Sequence, residues 1–213
     1  MDKIIYHNQI DYLFSLRGEF DPLLKEMEEF AEEKKIPILS WNSAELLEAF
    51  ILSKKPKRVL EIGTAIAYSS IRIARVLEED GILDTIEKST DNLKLAMDYI
   101  KRSGQKSKIN LIEGNAILLM PQFESEYDFV FLDADKQDYE KLFYISLSLL
   151  KKGGIIFVDN LLWHGFAAPG EVPAAYINGA KQIREFNKIF VSQPNLKTTI
   201  VPVGDGIGIG VKL

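Results

Sequence analysis

From Val59 onward the chain alternates between short apolar runs bounded by turn residues and longer stretches with helical spacing, and this alternation limits the fold more than any other feature. Residues 59–62 (Val-Leu-Glu-Ile) lie between Pro56 and Gly63, too short for a helix and apolar enough for a buried strand. A helix carrying Ile71, Ala74 and Leu77 follows, then a strand over 83–87 and a helix with Leu93, Ala96, Met97 and Ile100 that stops at Gly104. Strands over 109–112 and 129–132, a helix over 139–150 closed by Gly153-Gly154, and a strand over 155–158 continue the pattern. Alternation of this kind predicts an α/β fold whose parallel sheet carries helices on both faces. After a helix over 180–190, the segments 197–201 and 207–212 are separated by a link too short for a crossover, so they pair as an antiparallel hairpin. The expected sheet is seven-stranded and mostly parallel.

Two extra helices precede this repeat. In 21–35, Leu23, Leu24, Met27 and Phe30 recur at helical spacing among acids, and Ala44, Leu46, Leu47, Phe50 and Ile51 form the stripe of a second helix. At 213 residues and 46% hydrophobic, the chain suits one domain over 1–213, with a helical layer over 1–55 and a core over 56–213. Part of the first stripe exceeds what the sheet is expected to cover, which predicts a homodimer built in part on the N-terminal helices.

Composition removes several function classes. Acidic residues outnumber basic ones by 31 to 26, a net charge of -5, so any nucleic-acid contact must be local. The absence of cysteine excludes disulfides, a thiolate zinc site and a cysteine nucleophile, and suits a reducing, cytoplasmic setting. The start MDKIIYHNQIDY is charged and no run approaches the roughly 18 apolar residues of a membrane span. A soluble, unprocessed protein is expected. His7 and His164 are the only histidines, and neither accompanies a serine in a nucleophile elbow, which argues against a hydrolase triad.

In a doubly wound sheet, ligands bind beyond the carboxyl ends of the strands. After the first strand, Gly63 admits a close ligand approach and Ser69 at the mouth of the next helix offers a hydroxyl and an amide; the run lacks the later glycines of a dinucleotide fingerprint. Glu87 ends the second strand, where a carboxylate accepts from both hydroxyls of a ribose. The small residues of Glu113-Gly114-Asn115-Ala116 leave room for an adenine edge. Asp133 ends the fourth strand and Asp159-Asn160 the fifth. Either they cap loops, or their three side-chain oxygens hold a hard divalent cation, with magnesium the natural choice and Lys136 nearby favouring chemistry. Trp163 serves equally as packing or as a stacking surface, and His164 shapes the rim.

VLEIGTAIAYSSIRIARVL, FLDADK, VDN and PVGDGIGI resemble the cofactor loop, the metal-binding strand ends and the closing hairpin of the metal-dependent class I S-adenosylmethionine-dependent O-methyltransferases, which include catechol and caffeoyl-CoA O-methyltransferases. FDPLLKEMEEFAEEKKIPIL and DNLLWHG extend the resemblance to a bacterial branch that methylates 5-hydroxyuridine in tRNA. The resemblance implies a Rossmann-like fold, with Leu39, Glu61, Gly63 and Ser69 around the methionine part of S-adenosylmethionine. It implies Glu87 on the ribose, Ala116 at the adenine and Asp135 near the cofactor. It also implies Asp133, Asp159 and Asn160 on Mg2+ or another divalent cation, and Lys136 as the proton acceptor. Ala67 stands where the family usually has glycine.

The leading expectation is methylation of an acidic hydroxyl beside a second oxygen, at the tRNA wobble 5-hydroxyuridine, giving 5-methoxyuridine. The basic residues Lys34, Lys35, Lys54, Lys55, Lys57 and Arg58 would meet the phosphates at the site mouth. A small catechol-like acceptor is the alternative. A cofactor-binding module without catalysis, motivated by Ala67, is the alternative of another class.

Overall fold

The computed structural model describes residues 7–18, 21–124 and 126–213, with the side chain of His7 left out. Readings placed on the charged segment 1–6 and on Phe20 lie outside the described residues. The chain divides into two compact units, Met1–Pro37 and Ile38–Leu213.

Among the described residues the smaller unit holds two helices, α1 (His7–Ser15) and α2 (Pro22–Lys34). Asp21 caps α2 by accepting from the amides of Leu23 and Leu24 at 2.9 and 3.0 Å, with Pro22 in the first turn where its missing N–H costs nothing. Lys35 closes the helix in the left-handed conformation. Arg17 forms a forked pair with Glu28 at 3.0 and 3.3 Å. Of the α2 stripe, Met27 is buried and Leu23, Leu24 and Phe30 are half-buried within the single chain. Helix α1, which the sequence reading did not foresee, exposes Ile10, Tyr12, Leu13 and Phe14, and Leu16 just beyond its end is exposed as well.

The larger unit is built on a seven-stranded sheet in the order β3-β2-β1-β4-β5-β7-β6. Its strands are β1 (Arg58–Ile62), β2 (Ile82–Glu87), β3 (Ile109–Glu113), β4 (Tyr127–Leu132), β5 (Leu150–Val158), β6 (Leu196–Val201) and β7 (Ile207–Lys212). All pairings through β5 are parallel, while β7 runs antiparallel to both β5 and β6. The helices are α3 (Trp41–Lys54), α4 (Tyr68–Val76), α5 (Thr90–Ser103), α6 (Ala116–Leu119), α7 (Tyr139–Leu149) and α8 (Ile177–Val191). The Rossmann-like layout expected from the alternation is the one observed, and α3 falls within this unit.

The period-two pattern of the central strands sorts the core into two faces. Leu60, Ile62, Val130, Leu132, Ile156 and Val158 join Leu142, Phe143, Phe186 and Phe190 of α7 and α8 in one cluster. The intervening Phe129, Phe131 and Phe157 gather on the other face, where Phe50 of α3 meets Phe157 edge-on at 6.0 Å. Strand β5 begins at Leu150, five residues earlier than the sequence suggests, because Leu150 turns extended and pairs with Tyr127 across a register shift. The Gly153-Gly154 pair, read as a helix stop, lies inside that strand. Helix α8 likewise starts three residues earlier than expected, at Ile177. No helix among the described residues is long and apolar enough to cross a membrane.

Strand order reverses between β1, which leads outward to β2 and β3, and β4, which leads to β5. The crevice at that switch point lies beyond the carboxyl ends of β1 and β4.

Candidate functional site

Gly63 leaves β1 with φ 100°, and a Cβ built on it would lie 1.8 Å from the carbonyl oxygen of Asp133. Only glycine lets the two strand ends touch. Backbone bonds fix the place: Asp133 N donates to Ile62 O at 3.0 Å, locking β4 to β1, and Gly63 N donates to Ile86 O of β2 at 3.1 Å. Ala65 and Ala67 continue the loop with φ 47° and 68°, so Ala67 takes up the left-handed conformation for which glycine is suited.

Glu61 is fully buried below this loop. Its carboxyl accepts from Ser69 Oγ at 2.5 Å, from Thr85 Oγ1 at 2.6 Å and from Ser70, while Thr64 and Thr85 share a hydroxyl contact at 2.6 Å. Burial without a cationic partner pushes its pKa up to about 7, against the pull of the three hydroxyls and with added repulsion from Asp133. Glu87, buried at the end of β2, accepts from the amides of Ala65 and Ser89, each at 2.8 Å. One oxygen engages each amide, so each keeps a lone pair for a further donor. Leu39 is buried just before α3; Ala116 opens α6, where Asn115 accepts from Ile117 N at 2.9 Å. Asp135 is exposed and pairs with Lys88, joining the end of β4 to the end of β2 across β1.

At the ends of β4 and β5 the structure brings together Asp133, Lys136, Asp159 and Asn160. Lys136 Nζ donates to Asn160 Oδ1 at 2.5 Å, Tyr139 Oη at 2.6 Å and Ala134 O at 3.1 Å, and lies 3.5 Å from Asp133 Oδ1. Tyr139 Oη in turn donates to Asp159 O at 3.0 Å. Burial and the charge of Asp133 push the Asp159 carboxyl up to about 8, and burial raises Asp133 as well, opposed by Lys136. Tyr139, held above its ordinary value by burial and by the two aspartates, is a site residue the sequence reading used only as a helix start.

Two repelling carboxylates and a carboxamide oxygen drawn around the one ammonium of Lys136 form a donor set short of positive charge, and hard oxygens of this kind fit a divalent cation such as Mg2+. Among the described residues no three His, Cys, Asp or Glu side chains gather closely enough to hold a metal by themselves, so Asn160 is an essential part of the fit.

Beyond β5 the chain forms an aromatic wall. Trp163 and His164 lie 5.3 Å apart, His164 and Tyr176 5.3 Å, and Phe166 and Tyr176 5.1 Å between ring centroids. Lys136 Nζ is 5.8 Å from the Trp163 ring, which links this wall to the strand-end oxygens. Trp163 also leans on α8, since a Cβ on Gly179 would come within 2.5 Å of its ring. It packs and lines the site at once. Tyr176 was missed because only the folded loop brings it beside residues 163–166.

The basic run expected at the mouth is elsewhere. Lys55, Lys57 and Arg58 lie at the amino end of β1, roughly 16 Å of strand away from Gly63 at ~3.3 Å per residue. They are taken up by acids: Lys55 and Lys57 by Glu78, Lys57 also by Asp80, and Arg58 by Asp84. Lys34 pairs with Glu33. Lys55, Lys57 and Arg58 therefore do not offer phosphates the positive surface at the crevice that the sequence predicts.

Residues 15–213 match the O-methyltransferase family. A caffeoyl-CoA O-methyltransferase from Populus kitakamiensis is 34% identical over 203 residues, covering 89% of this chain and 86% of that protein. The O-methyltransferase TomG of Streptomyces achromogenes, involved in tomaymycin synthesis and solved with S-adenosylmethionine, superposes with a TM-score of 0.83 at 27% identity, over 95% of this chain and 94% of the other. An O-methyltransferase from Bacillus cereus in complex with S-adenosylhomocysteine gives 0.83 at 25% identity, over 95% and 96%.

Proposed function

The chain belongs to the O-methyltransferase family, of the caffeoyl-CoA O-methyltransferase type, and on that premise we propose that it methylates one of two adjacent oxygens on a small planar acceptor, a catechol, using S-adenosylmethionine. The observation that carries this reading is the aromatic wall of Trp163, His164 and Tyr176 set beside Lys136 and the oxygens of Asp133, Asp159 and Asn160. Flat rings accept a flat acceptor, and the strand-end cluster meets its oxygens. The sequence reading ranked tRNA first. The relatives named above, and the ion pairing of the basic run far from the crevice, favour the small acceptor.

In this reading Leu39, Glu61, Gly63 and Ser69 surround the methionine part of the cofactor, Glu87 takes the ribose hydroxyls, and Ala116 adjoins the adenine. Asp135 flanks the cleft through its pair with Lys88. The acidic lining suits a sulfonium cation. Asp133, Asp159 and Asn160 would hold a divalent cation, which when bound acidifies the acceptor hydroxyl and orients its neighbour. Lys136 Nζ, deprotonated to its amine for the step, takes the proton of the acceptor hydroxyl, and the ammonium so formed holds the oxyanion while the oxygen forms its bond to the methyl carbon and the carbon–sulfur bond breaks, releasing S-adenosylhomocysteine. The remaining contribution is alignment of the three atoms.

The family match takes in both compact units, and we read 1–213 as one functional domain. A homodimer is part of the proposal, supported now by the exposed apolar residues of α1 rather than by α2. Sedimentation showing only a 24.1 kDa species at micromolar concentration overturns it.

The deciding experiment incubates the protein with Mg2+ and labelled S-adenosylmethionine, in parallel with a catechol and with tRNA from a strain lacking 5-methoxyuridine. Label on one catechol oxygen is expected. Label in 5-methoxyuridine, with none on the catechol, reverses the assignment, and cofactor binding without transfer to either supports the non-catalytic module.

A further inference from the structure

The turn between β6 and β7 carries Asp205, to which no role has been given above. Its two carboxylate oxygens accept from different parts of the acceptor loop: Oδ1 from the amide of His164 at 2.5 Å, and Oδ2 from Asn160 Nδ2 at 3.4 Å. The turn backbone adds two bonds, Leu162 N to Asp205 O at 2.8 Å and Leu161 N to Gly206 O at 2.9 Å. Gly206 permits this closeness, since a Cβ there would lie 2.8 Å from Leu162 N.

What these bonds hold is an unfavourable conformation. Asn160, Trp163 and His164 all have positive φ, at 62°, 49° and 56°, and left-handed backbone in a residue as bulky as tryptophan persists only where surrounding bonds impose it. The orientation of the Asn160 carboxamide is set at the same time. Lys136 is only a donor, so the atom it meets at 2.5 Å must be the oxygen, and the amide nitrogen then faces the Asp205 carboxylate, which only accepts. Turned the other way, the carboxamide would present its N–H groups to Lys136 and an oxygen to a carboxylate.

We propose that Asp205 is a positioning residue that fixes the Asn160 oxygen toward the cation cluster and, through the His164 amide, sets the conformation of the loop bearing the aromatic wall. The proposal rests on the reading of Asp133, Asp159 and Asn160 as a divalent-cation site. Partners that orient metal ligands typically contribute 10- to 100-fold in metal affinity. One residue therefore couples cation binding to acceptor binding.

The test measures Mn2+ affinity by electron paramagnetic resonance, S-adenosylhomocysteine affinity by calorimetry, and KM and kcat for a catechol, in wild type, Asp205→Ala and the isosteric Asp205→Asn. Asp205→Ala is expected to weaken Mn2+ about tenfold or more and to raise the acceptor KM, with S-adenosylhomocysteine bound within about twofold of wild type. A general loosening of the fold would weaken both ligands together and overturns the proposal. Asp205→Asn has one acceptor oxygen where two are needed, so its Mn2+ affinity falls between the other two proteins. Wild-type and variant proteins binding Mn2+ equally well overturn the positioning role while leaving the metal reading intact. A wild type that binds no Mn2+ overturns the metal reading, and the proposal with it.

Discussion

Lys136 and Ala67 each make a residue-scale claim that can be measured. Lys136 Nζ meets three oxygens within 3.1 Å and so joins Ala134, Tyr139 and Asn160. Lys136→Met keeps the stem and removes the charge and the proton acceptor. We expect kcat for a catechol to fall about 10² to 10⁴-fold with S-adenosylhomocysteine affinity little changed, as steady-state kinetics and calorimetry would report; an unchanged kcat removes Lys136 from the reaction. Ala67 sits at φ 68° with its methyl buried. Left-handed backbone costs an L-residue roughly 1–2 kcal/mol, while the extra unfolded freedom of glycine and the loss of a buried methyl each weigh up to about 1 kcal/mol the other way, so Ala67→Gly is expected to leave stability within about 1 kcal/mol of wild type in denaturant unfolding, and a larger loss would show that the methyl packs the loop. Asp133, Asp159 and Asn160 were legible because an acid or amide ending an apolar strand must emerge at the sheet edge. Tyr176 and Asp205 were not: each enters the site through a contact 13 to 45 residues away in sequence, which no local spacing encodes, whereas Tyr139, three residues from Lys136, was within reach of a local reading and was passed over as a helix start.

At the scale of elements, α3 and α4 are joined by a side-chain fork that local pattern did not announce. Arg72, buried on α4, holds Glu48 of α3 through Nε and Nη2 at 2.7 and 2.8 Å and reaches Tyr68 Oη at 2.9 Å, at the start of the helix that follows the cofactor loop. Removing one partner strands a buried charge, so Glu48→Ala should cost about 3 kcal/mol or more. Glu48→Ala combined with Arg72→Met, which leaves no charge behind, should cost less than the single change. A double variant less stable than Glu48→Ala in urea unfolding overturns the fork as the source of the penalty. Strand order, and helix order apart from α1 and the one-turn α6, was legible from period alone, whereas the start of β5 drifted because pairing overrode a turn signal. Leu150 shows the reason: its partner Tyr127 draws it into β5 despite the glycines that follow.

For the whole molecule, the carboxyl groups collected at one sheet edge tie stability to pH and to cations. Glu61 is pushed from its ordinary 4.5 up to about 7, and Asp159 from 3.8 up to about 8, chiefly by burial, with Asp133 raised in the same direction. Each group binds its proton more tightly folded than unfolded. Between about pH 4 and 8 these three groups therefore hold more protons in the folded chain, and their contribution to stability falls as pH rises, being fully present only below the unfolded values. The rise at Glu61 alone corresponds to roughly 3 kcal/mol once it is ionised in the folded chain. A divalent cation at Asp133, Asp159 and Asn160 competes with those protons, so it should stabilise the protein more at pH 8 than at pH 6. Thermal unfolding without cofactor, in chelator and in millimolar Mg2+ at both pH values, checks the claim. In chelator Tm should be lower at pH 8 than at pH 6, Mg2+ should recover more of it at pH 8, and Glu61→Gln, neutral at either pH, should flatten part of the decline. A Tm that does not fall toward pH 8 in chelator, or a Mg2+ increment equal at the two values, shows that these carboxyls are already neutralised by other means and that the edge is not waiting for a cation.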